Sequence, residues 1–121
     1  MGKPVVHFEV VGHDGPKLID FYSTLFDWKI DANNPMGYGM VETGAGTGIA
    51  GGVGPSPSGP FLTFYVQMDS KEEMQAHLDK AVELGGKITM PIMEIPGAVT
   101  IAQVADPEGN VVGLVTGGPE G

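Results

Sequence analysis

Hydrophobic and polar positions alternate along "PVVHFEVV", Pro4–Val11, and predict a strand. Val6, Phe8 and Val10 share one face of it; Val5, His7 and Glu9 share the other. The period then changes. In "HDGPKLIDFYSTLF", Leu18, Phe21, Tyr22 and Leu25 recur at helical spacing, with Asp14 placed as an N-cap and Pro16 in the first turn, where a missing N–H costs nothing. Three strands follow, at Asp27–Asp31, Tyr38–Thr43 and Gly48–Val53. A second round begins with the strand Phe61–Met68. Ser70 and Glu73 then form a capping box, and Met74, Leu78, Ala81 and Val82 make the buried stripe of a helix that Gly85-Gly86 end. Strands at Lys87–Met90, Ala98–Ala105 and Asn110–Thr116 complete it, the last two joined by "DPEG", which suits a type I turn.

The order β-α-β-β-β therefore occurs twice. "HFEV" at 7–10 lies over "TFYV" at 63–66, an offset of 56, and Lys29-Ile30 lies over Lys87-Ile88, an offset of 58. Each half is too small to bury a sufficient core alone, so one domain over 1–121 is expected. It comprises module one at 4–53, a linker at 54–60, module two at 61–116 and a tail at 117–121. The linker "GPSPSGP" holds three prolines and two serines, which suit neither a helix nor a sheet interior.

Charge narrows the partners. A formal net charge of −9, with six basic residues, argues against nucleic acid and acidic membranes. No apolar run approaches the roughly 18 residues of a membrane span, and "MGKPVVHFEV" lacks the apolar core of a secretory signal, so a cytoplasmic location is expected. Without cysteine, disulfides, thiolate nucleophiles and cysteine-ligated metals are excluded.

Few motifs carry chemistry. "GTGIAG", Gly46–Gly51, matches a dinucleotide fingerprint in letters alone, because no helix can begin in the "GVGPSPSGP" that follows. Ser56 and Ser58 lie in the linker and make no nucleophile. His13 reads as a solvated turn residue and His77 as a boundary residue of the second helix. His7, beside Glu9 on one strand face, is the histidine with a chemical setting. Gly113 interrupts an apolar strand and needs a reason: a bulge, a close approach of another group, or a site that lacks its side chain.

Four stretches, "VVHFEV", "LIDFYSTLFDWKI", "VELGGKI" and "ADPEGNVVGLV", together resemble the vicinal-oxygen-chelate superfamily, the glyoxalase, bleomycin-resistance and dioxygenase group. The resemblance covers nearly the whole chain. It implies an α+β fold in which two βαβββ modules form a cupped mixed sheet with helices on the outer face. It also implies a small-molecule substrate or ligand in the cup, and a homodimer. Metal-dependent members use about four ligands, from the first and last strands of each module. Carried onto this chain, those positions fall on His7, Thr63, Gly113 and a residue near Gly51. One donor of four is kept, and a divalent ion held by a lone imidazole is disfavoured. Glu9 or Glu42 could rebuild a ligand set, and Gly51 and Gly113 are otherwise expected to leave open volume.

The expected function is a glyoxalase-like protein that binds a small, largely apolar molecule without a metal. His7, Glu9, Thr63, Tyr65 and Gln103 are the candidate ligand-binding residues, and Tyr65 or Trp28 could stack on the ligand, although Trp28 also suits the core. Three alternatives stay open. One is a metal-free acid/base enzyme in which His7 and Glu9 are catalytic, the carboxylate raising the imidazole pKa. The second is a metal-dependent lyase or dioxygenase with a rearranged site, and the third a structural partner domain.

Overall fold

A computed structural model of the chain describes residues 2–117. They divide into two compact units, Val6–Thr63 and residues 2–5 with 64–117. The fold is α+β and repeats one βαβββ pattern.

Module one holds β1 (Val5–Gly12), α1 (Gly15–Phe26), β2 (Lys29–Asp31), β3 (Gly39–Glu42) and β4 (Gly51–Pro55). Its strands lie in the order β2-β3-β4-β1, with β1 and β4 parallel and the other pairs antiparallel. Asp14 caps α1 by accepting from Lys17 N at 3.1 Å, as its place before Gly-Pro predicts. One sheet face meets α1. There Val41 and Val53 are buried, and Phe8 packs on Trp28, which also touches Tyr22 and Phe26. Trp28 is thus half-buried among these rings on the helix side.

Module two repeats this with β5 (Phe61–Gln67), α2 (Lys71–Glu83), β6 (Lys87–Glu94), β7 (Val99–Ala105) and β8 (Val111–Gly117). The order is β6-β7-β8-β5, with β5 and β8 parallel. Met68, Met74, Leu78, Ala102 and Leu114 form its core on the α2 side. The turn before β8 is built as "DPEGN" predicts. Gly109 N donates to Asp106 O at 2.9 Å, Gly109 takes a φ of 97°, and the Asp106 carboxylate accepts from Glu108 N and from both nitrogens of Asn110.

Several expectations need correction. Val82 is 52% exposed, and on α1 Phe21 and Leu25 are 56% and 57% exposed, so each helix buries a narrower stripe than its apolar spacing implies. β6 runs past Pro91 to Glu94, because an edge strand with register shifts at Met90 has no ladder bond for proline to break. Pro55, assigned to the linker, ends β4 opposite Gly12. In the capping box Ser70 Oγ accepts from Glu73 N at 3.0 Å, but Glu73 returns its bond to Asp69 N rather than Ser70 N, at 2.6 Å, while its other oxygen takes Lys3 at 2.7 Å. Residues 118–121 of the expected tail lie outside the described residues, and Gly117 closes β8. Among the described residues, no helix is long and apolar enough to cross a membrane.

Candidate functional site

On β1, alternation turns His7 and Glu9 to the face opposite Phe8 and α1. Across the sheet, Glu9 is in register with Gly52 of β4, and Gly52 with Met40 of β3. Because Gly52 has no side chain, the ring of Tyr38, from the loop between β2 and β3, lies over it. A Cβ at Gly52 would stand 1.8 Å from Tyr38 Oη. That hydroxyl joins the two β1 side chains, at 2.9 Å from His7 Nε2 and 2.9 Å from Glu9 Oε2. Asn34 clasps the Tyr38 backbone, donating to Tyr38 O at 2.7 Å and accepting from Tyr38 N at 3.1 Å. The structure therefore brings His7 and Glu9 together through a tyrosine that the sequence reading did not single out. The available signal was a Gly-Gly pair inside a strand, which marks close approach of another group.

Module two solves the same problem with different atoms. Tyr65 of β5, Gly113 of β8 and Gln103 of β7 are in register across three strands. The Tyr65 ring lies over Gly113, where a Cβ would be 2.3 Å from two ring carbons, and its hydroxyl accepts from Gln103 Nε2 at 2.9 Å. Both side chains are buried, as is Thr63, two residues before Tyr65 on β5. At the shared offset of 56, Glu9 corresponds to Tyr65, so the counterpart of Gly113 is Gly52, one residue beyond Gly51. Gly51 itself is covered on the other face by the Phe8 ring, 2.5 Å from a Cβ there. The glycines do not leave open volume. Aromatic rings take the space a side chain would need.

Burial holds the His7 imidazole below its ordinary pKa, the reverse of the increase expected from a carboxylate neighbour. Desolvation disfavours the imidazolium, and Glu9 meets the ring through a phenol. The neutral Tyr38 has one hydroxyl proton. With that proton donated to the Glu9 carboxylate, the Tyr38 oxygen is left as an acceptor toward His7 Nε2. Hydrogen bonds to an ionised carboxylate are among the stronger ones, which favours this direction.

Among the described residues, no group of three or more His, Asp or Glu side chains is placed to hold a metal ion. Glu42 is exposed on β3 opposite Lys29, His13 is exposed, and His77 Nδ1 bonds the Glu73 carbonyl at 2.9 Å. The Gly-rich loop 42–50 lines a shallow depression of about 370 Å³, and β4, not a helix, follows it.

Comparison with known proteins agrees with this architecture. Residues 5–114 match the model of the Glyoxalase/Bleomycin resistance protein/Dioxygenase superfamily. A Mycobacterium tuberculosis protein named "Putative glyoxylase CFP32" is 34% identical over 103 residues, which are 78% of this chain and 38% of that protein. The chain thus matches well under half the length of this relative. A superfamily member from Vibrio splendidus 12B01 shares the fold with a TM-score of 0.65 at 13% identity, covering 96% of this chain and all of that one. Methylmalonyl-CoA epimerase from Mycobacterium tuberculosis does so with a TM-score of 0.64 at 12% identity, over 96% and 89% of the two chains. With its repeated βαβββ modules and a family match over nearly its full length, the chain belongs to the glyoxalase/bleomycin resistance protein/dioxygenase superfamily.

Proposed function

We propose that this chain is a small-molecule-binding member of the superfamily that works without a metal. It would hold a largely apolar ligand against the face of module one turned away from α1. The observation that carries this reading is the His7–Tyr38–Glu9 hydrogen-bond chain on that face, a compact polar anchor on a strand otherwise rich in valine. An ionised carboxylate accepts hydrogen bonds and donates none, so the anchor favours a ligand that brings an N–H or O–H. The reading includes a cytoplasmic homodimer.

A panel of neutral, planar, apolar alcohols and amides tests the proposal by thermal shift. A ligand at a hundredfold its Kd stabilises by about 2.7 kcal/mol, and His7→Ala should abolish the shift. If no compound raises the melting temperature, or if His7→Ala and Glu9→Ala bind as the parent does, the reading fails. One observation favours a second reading, a metal-free acid/base enzyme: the His7 imidazole, its pKa lowered by burial, is linked through the Tyr38 hydroxyl to Glu9. Turnover lost in His7→Ala with ligand affinity intact would select it.

A further inference from the structure

We propose that the outer face of α1 is the contact between two copies of this chain. The inference rests on the homodimer of the proposed reading and names the surface that makes it. The two modules supply the contrast. In module two, α2 buries Met74 and Leu78 and turns mainly charged and polar residues to solvent, among them Glu72, Gln75, Asp79 and Lys80. In module one, half of the twelve residues of α1 are large and apolar or aromatic, yet its one fully buried position is Gly15, which has no side chain. Phe21, Leu25 and Phe26 are each more than half exposed. A contiguous apolar group of this kind marks a contact surface.

The charges around it select the occupant. Lys17, Asp20, Phe21, Thr24 and Leu25 form one stripe at helical spacing and line a shallow depression of about 350 Å³. Among the described residues, neither Lys17 nor Asp20 makes an ion pair. The stripe therefore carries one open charge of each sign and no net charge, on a chain whose formal net charge is −9. So acidic a chain repels its own copies over most of its surface, but not here. A basic partner, in turn, would find no excess of carboxylate on this stripe. A second copy fits it, because a twofold contact matches each group with its complement twice. With two α1 helices antiparallel about an axis beside Phe21, Lys17 of one copy lies about one turn from Asp20 of the other. A lysine side chain spans that distance, and its methylene stem covers Leu25 on the way.

Analytical ultracentrifugation of the full chain tests the proposal. The parent should sediment as a dimer of 12.6 kDa chains, and Leu25→Glu as a monomer with unchanged circular dichroism. Lys17→Glu and Asp20→Lys each set like charges against one another at both contacts, and each should weaken dimerisation about tenfold. Mixed one to one, these two variants pair opposite charges at both contacts, and the dimer should return. A monomeric parent overturns this inference together with the homodimer. A dimer that Leu25→Glu leaves intact, or a mixture that associates no more tightly than its components, overturns this inference alone, because the homodimer then forms through another surface. Thermal shift with the ligand panel is read separately, so the binding reading stands or falls on its own result.

Discussion

Replacing Gly113 by alanine puts a number on the close approach in module two. The new Cβ would lie 2.3 Å from Tyr65 Cδ2 and Cε2 and 2.7 Å from Cγ, well inside van der Waals contact. The ring is buried and packed between strands, so it must shift as a body. Overpacking of this kind costs about 1–3 kcal/mol. A shifted ring also gives up the bond from Gln103, about 1 kcal/mol more. The expected loss is therefore about 2–4 kcal/mol. With an unfolding entropy of about 2.1 cal/mol/K per residue over 121 residues, the melting temperature should fall by about 8–16 °C. Urea unfolding and calorimetry of Gly113→Ala would measure it. In a Tyr65→Ala background the obstruction is gone, and the same substitution should cost less than about 0.5 kcal/mol. Equal cost in both backgrounds, or a single variant that melts with the parent, would refute the packing argument.

Other consequences can be checked alongside. Because burial lowers the folded-state pKa of His7, the unfolded chain binds the proton more readily. The stability linked to His7 should be complete above its unfolded value of about 6.5 and be lost as pH falls through the lower folded value. In urea titrations across this range, His7→Gln should show less loss on the acid side. Leu78→Ala should cost about 2–5 kcal/mol, because the side chain is fully buried in the module two core. Val82→Ala, on the exposed side of α2, should stay within about 0.5 kcal/mol. Ser70→Ala removes the acceptor for Glu73 N and should cost about 1 kcal/mol.

Much of the architecture was legible because local rules agreed with the final packing. The period change after Val11, the caps at Asp14 and Ser70, and the "DPEG" turn each had one physical reading, and the structure adopts it. Alternation also placed His7 with Glu9, and Tyr65 on a buried face. What the pattern could not supply was contact across sequence. Tyr38, expected as the first residue of a strand, lies in the loop just before β3, and its role depends on a glycine two strand positions into β4. Gly113 announced a local exception without naming its occupant; the register with Tyr65 and Gln103 identifies it. Val82 misled because helical spacing counts apolar residues without showing how wide a stripe the sheet covers.

The proposed binding works without a metal, and metal content tests that part of the proposal most directly. Protein purified without chelator and analysed by mass spectrometry for Zn, Ni, Mn and Fe should carry far less than one equivalent per chain. One equivalent of any of these, retained through dialysis and released on replacing His7 with alanine, would contradict the account.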